Sequence, residues 1–276
     1  MLSIGKMNTL TIDQDTGRGL ILKSEDGQEV FLPSSFAKRD LEVGASINVF
    51  VYLNTQGDII ATTETPYAQV GEYALLRVVE TQEFGAFFDW GIDKDLLVPG
   101  NEQKLKVRNH EDHIVRVCLE DETNRIYGTT KLGKYIEADD KDIKERDTVE
   151  VELVHQSDLG FRVIINKKYI GMIYHNEIFS KVRIKDKAQG IVKKIRDDGL
   201  IDISLQRLGV SKLEDAKITV LNFLKDNDGK SYLNDKSSPE EIKHNLQMSK
   251  KSFKAAIGML YKEGMIIIET TGIKLK

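Results

Sequence analysis

The 276-residue sequence predicts a mainly β protein with an α+β C-terminal domain: three five-stranded barrels in tandem, followed by a winged helix-turn-helix. Three observations lead there. Up to about Gln206, short β-branched or aromatic runs alternate with Gly, Asp and Asn turns, the pattern of an all-β barrel or sandwich. A hairpin ending in an apolar stretch recurs about every 65 residues, a length that suits five strands. Beyond Leu208-Gly209 the apolar period lengthens from two residues to near 3.6.

Taken in order, Gly19–Leu22 and Glu29–Leu32 flank the Glu25-Asp26-Gly27 turn, and Ser46–Leu53 precedes Gln56-Gly57-Asp58. The recurring hairpin ends at Val30-Phe31-Leu32-Pro33, at Leu96-Leu97-Val98-Pro99 and at Gly171-Met172-Ile173-Tyr174. Thr65-Pro66 and Ala138-Asp139-Asp140 are the natural joints, so the divisions fall at residues 1–66, 67–138, 139–208 and 209–276. In the last of these, Ser211 and Glu214 form a capping-box pattern, and Ile218, Leu221, Phe223 and Leu224 offer an apolar helical face. Ser238, Pro239 and Glu241 open a second helix, Ser249 caps a third with Phe253, Ala256, Ile257 and Leu260 inward, and Gly264 ends it. Met265–Glu269 and Ile273–Leu275 around Thr270-Thr271-Gly272 complete a winged helix.

Composition narrows the function. With 40% hydrophobic and 30% charged residues the chain is expected to fold into real cores. It has no run near the roughly 20 apolar residues of a membrane span and no secretory leader at its start, so the cytoplasm is the expected location and no membrane partner is expected. The single Cys118, between Val117 and Leu119, reads as a structural thiol. The net charge of −4 is unevenly spread: residues 1–66 hold five basic and nine acidic side chains, residues 67–140 nine and fifteen, 141–207 fourteen and eleven, and 211–276 twelve and nine. A polyanion would therefore be drawn to the C-terminal half.

Catalytic patterns are scarce, and no enzyme activity is expected. His110 and His113 flank Glu111-Asp112, but there is no HExxH, no Cys pair and no third ligand, so they read as a polar loop, with no metal and no cofactor. No Gly-rich phosphate loop precedes a helix and no Gly-x-Ser-x-Gly elbow occurs. The most informative stretch is Phe84-Gly85-Ala86-Phe87-Phe88-Asp89-Trp90-Gly91. Gly85 would let the strand bend or bulge, so that Phe84 and Phe87 both reach the barrel face, where stacking contributes roughly 1–3 kcal/mol per base whatever the base. The same residues would equally suit an ordinary Phe-rich core.

The run from Gly71 through Phe84-Gly85-Ala86-Phe87 to Leu97-Val98-Pro99, closing with Asp121 and Arg125-Ile126, resembles the S1 RNA-binding domain, an OB-fold. That resemblance implies RNA contact through Phe84, Phe87, Asp121 and Arg125, with Pro99 where the family has His. In the third unit the corresponding residues are Leu159, Arg162, Tyr174, Arg196 and Leu200, and Arg162 and Tyr174 can still stack on bases. Its strongest feature is charge: Lys181, Arg183, Lys185, Lys187, Lys193, Lys194 and Arg196 stand against Asp186 alone within 181–196. A solvated basic loop would look the same. The first unit shows no comparable aromatic set. In the winged helix, Lys250, Lys251 and Lys254 begin the third helix, where the motif places groove-reading side chains, although such modules also bind proteins.

Three S1-like units and a winged helix, in that order, resemble the conserved virulence factor B family of bacterial RNA-binding proteins. The resemblance implies single-stranded RNA as partner and an effect on gene expression after transcription. A DNA-binding regulator acting through the winged helix and an adaptor that binds no nucleic acid are the alternatives.

Overall fold

The structure is a computed structural model that describes residues 1–37, 41–136, 142–178, 181–206 and 212–276, without the side chains of 206 and 212–214. The Ala138-Asp139-Asp140 joint, Leu208-Gly209 and the Ser211–Glu214 capping box lie outside the described residues or side chains. The chain divides into two compact units, the first holding the first two barrels and the second most of the third barrel with the winged helix.

The first barrel contains β1 (Lys6–Asp15), β2 (Gly19–Lys23), β3 (Glu29–Pro33), β4 (Ser46–Leu53) and β5 (Ile59–Thr62), closed in the order β1-β2-β3-β5-β4. Closure comes from the parallel pairing of Phe31 with Ile60 and the antiparallel pairing of β1 with β4. Alternate residues point inward, and Leu10, Ile12, Leu20, Leu22, Val30, Leu32 and Val49 make the core. The second unit repeats the order with β6 (Tyr73–Gln82), β7 (Gly85–Phe88), β8 (Leu96–Pro99), β9 (Asp112–Leu119) and β10 (Ile126–Thr129). Here β8 and β10 meet by packing instead of a hydrogen-bonded ladder: a side chain on Gly128 would collide with Val98 and Leu96. A short helix, α1 (Gly133–Ile136), follows. The third barrel, β11 (Thr148–Ser157), β12 (Gly160–Ile165), β13 (Tyr169–Tyr174), β14 (Lys187–Ile195) and β15 (Ile201–Gln206), closes like the first.

One contact recurs in all three barrels. Gly19, Gly85 and Gly160 begin the second strand of each, and a Cβ there would lie 2.3 Å from Leu32 O, 2.6 Å from Val98 O and 2.0 Å from Ile173 O. Only glycine lets the two strands approach this closely. The residue before each glycine is then fixed by one hydrogen bond: Ser34 N–H donates to Arg18 O at 3.0 Å, Gly100 N–H to Phe84 O at 2.9 Å, and His175 N–H to Leu159 O at 3.2 Å. The expected bend at Gly85 is therefore a close approach, and the bulge lies on the partner strand β6, between Val78 and Glu80, opposite Phe87 and Phe88.

Thr65-Pro66 is not a loose joint. Pro66 and Ala68 are buried, and Trp90 Nε1–H donates to Ala68 O at 2.7 Å while its ring meets Phe50 of the first barrel edge-on at 5.3 Å. Phe50 and Tyr52 thus belong to the core of the second barrel. Burial pushes the Tyr52 phenol up to about 12, with Asp93 and Glu64 adding to it. The Lys94 ammonium, its pKa lowered by burial, donates to Leu53 O at 2.6 Å, and Asp93 N–H donates to Glu64 Oε2 at 2.8 Å.

In the C-terminal domain, α2 (Lys212–Asp226), α3 (Pro239–Leu246) and α4 (Lys250–Lys262) pack with β16 (Lys230–Ser231), β17 (Ile266–Glu269) and β18 (Gly272–Leu275). The expected hairpin gains β16 as a third strand, in the order β16-β18-β17. Ser238 caps α3 as expected and does so in a capping box with Glu241, and Ser249 caps α4. Ile218 departs from expectation: it is 51% exposed, and the inward face of α2 is Ala216, Val220 and Leu224.

Replacing Trp90 with Ala is expected to cost about 3–5 kcal/mol. Because the ring is shared, amide hydrogen exchange should accelerate on the order of a hundredfold or more in both β4 and β6. Acceleration confined to the second barrel would contradict a common core.

Candidate nucleic-acid interface

On the outward face of the second barrel, β7 and β8 alternate: Ala86, Phe88, Leu96 and Val98 point inward, and Phe87 pairs with Leu97 on the outside. Phe84, held by the Gly100 hydrogen bond, is 62% exposed, and its ring lies edge-on to Phe87 at 6.0 Å. The fold thus brings together the two aromatics that the sequence singles out. Asp121 and Arg125 are exposed in the β9–β10 turn, where Glu120 N–H donates to Arg125 O at 2.9 Å. That turn leads into β10, which packs beside β8, so Arg125 stands at one end of the β7–β8–β10 face and Phe84 near the other. Tyr127 of β10, opposite Cys118, was not among the predicted contacts; burial pushes its phenol up to about 12, with Cys118 and Tyr135 as neighbours. Its outward position follows from strand alternation.

Cys118 is buried, with Sγ 3.3 Å from Tyr135 Oη, and Arg116 lies over the rings of Tyr73 and Tyr135. This structural setting agrees with the sequence reading. Asp112 and His113 lie on β9 rather than in a loop: Arg77 pairs with Asp112 at 3.0 Å, and His113 Nε2 is 3.0 Å from Glu111 Oε2. Among the described residues no three His, Cys, Asp or Glu side chains are placed to hold a metal ion.

The third barrel assembles a different set. Arg196 contacts Asp202 at 2.6 Å, donates to the Tyr174 hydroxyl and lies 5.7 Å over the Tyr174 ring. Tyr174 and Arg196 do meet, directly, and Asp202 on β15 holds the Arg196 guanidinium in place. Arg162 is exposed on β12, and Leu159, at the place of Phe84, is 65% exposed. The basic run is less free than its local sequence implies: Lys193 reaches Glu177 at 2.7 Å and Lys187 reaches Glu152 at 4.0 Å, both acids from other segments. Lys194 is exposed opposite Asp202. The strand register also refines the alignment. Leu119 pairs with Ile126 and Ile195 with Ile201, so Arg196 occupies the place of Glu120, and Asp197 that of Asp121.

In the winged helix, Lys251 and Lys254 are exposed on the first turns of α4, whereas Lys250 is half-buried with Nζ 3.5 Å from Lys236 O. Among the described residues no ion pair holds Lys251 or Lys254.

Comparison with known proteins matches residues 4–64 to the S1 domain and residues 219–275 to the CvfB-like winged helix domain. The S1 match falls on the first barrel, whose contact positions hold Arg18, Ile21 and Pro33, so scaffold and contact residues are separable. Conserved virulence factor B of Staphylococcus aureus (strain N315) is 30% identical over 283 residues, covering 99% of this chain and 94% of that protein. The protein of that name from Staphylococcus epidermidis is 28% identical over 281 residues, with the same coverage. A solved multidomain protein with nucleic acid binding domains from Streptococcus pneumoniae is 23% identical, covers 99% of this chain and 98% of its own, and gives a TM-score of 0.41.

The ion pairs lead to a graded expectation. In titrations of a single-stranded oligonucleotide against salt, Lys194→Ala should reduce the slope of log K against log salt by about 0.7, the value for one phosphate contact. Lys193→Ala, which removes a cation already held by Glu177, should reduce it less. Equal slopes for the two variants would contradict this ordering.

Proposed function

The chain belongs to the conserved virulence factor B family, and from that premise we propose that it binds single-stranded RNA on its S1-type barrels, with the winged helix assisting. One observation carries the reading: Phe84, 62% exposed, stands edge-on to Phe87 on a rigid β face with cationic Arg125 at its far end. An exposed aromatic of this size gains by covering its face, and an unpaired base offers a flat apolar surface that neither duplex DNA nor a solvated loop supplies. The base stacks on Phe87 and Phe84, Arg125 neutralises a phosphate, and Asp121 and the Tyr127 hydroxyl are the polar groups available to base or ribose edges. Stacking tolerates any base, so discrimination is weak at this face.

The third barrel adds Tyr174, a ring already covered by Arg196, and contributes Arg162, Lys193 and Lys194 as further cations. The winged helix adds Lys251 and Lys254, with Lys250 closer to the protein surface. Modest sites in tandem raise one another's effective concentration, so the whole chain binds more tightly than any one barrel. This is a binding protein rather than an enzyme, acting in the cytoplasm on the expression of RNAs after transcription. Among the described residues no helix is long and apolar enough to cross a membrane.

A second reading, duplex DNA read by α4, is favoured by Lys251 and Lys254, both exposed and without an ion pair among the described residues. Competition between single-stranded RNA and duplex DNA of equal length, across a salt series, separates the two. The proposal expects RNA to win, and Phe84→Ala with Phe87→Ala to weaken RNA binding by roughly 1–3 kcal/mol per base lost, about five- to 150-fold each, with the fold retained. Preference for duplex DNA, or full RNA affinity in the folded double variant, would overturn it.

A further inference from the structure

The loop from the short 3-10 turn Gly100–Glu102 to β9 carries Lys104-Leu105-Lys106-Val107-Arg108, an island of positive charge within the most acidic quarter of the chain. Its base is closed by one side chain. Gln103 Nε2–H donates to Val98 O at 3.1 Å, and Gln103 Oε1 accepts from Val107 N–H at 3.3 Å. Lys104 N–H is tied to Thr130 Oγ1 at 2.8 Å, and Val107 is buried in the barrel core. Between these anchors Lys104, Leu105 and Lys106 form an exposed arch, with Leu105 77% exposed at its centre. Among the described residues neither lysine has an ion-pair partner.

The arch lies beside the aromatic face. Gly100 is bonded to Phe84 O, and Lys104 is only four positions further on, at most about 14 Å of chain. Thr130 directly follows β10, so Lys104 stands at the end of that strand opposite Arg125. The same loop in the third barrel is also cationic. His110 and Lys185 share a positive φ of 67° and 75° and donate to Val78 O and Leu153 O, and Arg108 and Arg183 N–H groups donate to Glu111 and Asp186 carboxylates. This places Lys181 and Arg183 where the second barrel has Lys106 and Arg108. In the first barrel the equivalent bonds, Gly44 N–H to Ile12 O and Ile12 N–H to Ala45 O, put Glu42 at the place of Arg108.

We infer that the Lys104–Lys106 arch is a second contact for the same strand, with the two ammonium groups on consecutive phosphates and Leu105 against a base or ribose beyond Phe84. Resting on the reading that the β7–β8–β10 face takes single-stranded RNA, it gives that strand a cation at each end: Arg125 at one and the arch at the other. It also supplies contact near Pro99, where the side chain has no hydrogen-bonding group of its own. A preformed arch costs little ordering on binding.

The test titrates the full chain with a fluorescein-labelled single-stranded RNA of mixed sequence over a salt series. Removing both cations in Lys104→Ala/Lys106→Ala should lower the slope of log K against log salt by about 1.4, so the affinity lost between 50 and 200 mM salt becomes about sevenfold smaller. Lys104→Arg/Lys106→Arg should keep the parental slope, and Leu105→Ser should weaken binding at every salt concentration without changing it. An unchanged slope in a folded Ala double variant, while Phe84→Ala still weakens binding, overturns the arch and leaves the aromatic face standing. No binding of the RNA by the parent chain overturns the functional reading itself. A fall in affinity for phosphatidylserine vesicles alone, with RNA binding intact, assigns the arch to a membrane surface and likewise overturns the inference.

Discussion

Everything distinctive about the candidate interface depends on how closely the second and third strands of each barrel approach. Without a side chain at Gly85, β7 lies against Val98 O, and Phe84 O comes within hydrogen-bonding reach of Gly100 N–H. That bond fixes the backbone at the strand's start and leaves the Phe84 ring outside the core, where an isolated Phe would ordinarily be drawn inward. Gly19 and Gly160 impose the same geometry, so each barrel presents a residue at this position: Arg18, Phe84 or Leu159. One scaffold therefore presents three different side chains at this position.

The second constraint is the shared core of the first two barrels. Trp90, Phe50 and Ala68 make the connection between them part of the interior. The face that begins at Phe84 thus belongs to a unit larger than a single 65-residue barrel, which alone would bury only about 60% of the surface of its unfolded chain.

Much of this was legible in the sequence because period and turn chemistry report directly on local structure. The repeated hairpin ends at Pro33, Pro99 and Tyr174, the Phe84-Gly85-Ala86-Phe87 strand, and the caps at Ser238 and Ser249 all appear in the fold where the pattern placed them. What was hidden depends on partners distant in the chain. Trp90 could not be assigned to two barrels at once, because its partners Phe50 and Ala68 are defined only by folding. Glu177, Glu152 and Asp202 lie outside the basic run or on another strand, so counting charge within residues 181–196 overstated how free Lys193, Lys187 and Arg196 are. Ile218 matched a helical face by spacing, but α2 is rotated to bury Ala216 and Val220 instead. The Lys104–Lys106 arch had a visible signal, alternating cations in an acidic segment, that charge summed over whole domains averages away.

The central claim is that a single strand crosses the second barrel on Phe84 and Phe87. Photo-crosslinking of the full chain to a single-stranded RNA carrying 4-thiouridine, followed by peptide mapping, tests it most directly. The account predicts adducts at β7, centred on Phe84 and Phe87, and their loss when unlabelled single-stranded RNA competes. Adducts confined to the winged helix, with none on the second barrel, would contradict it.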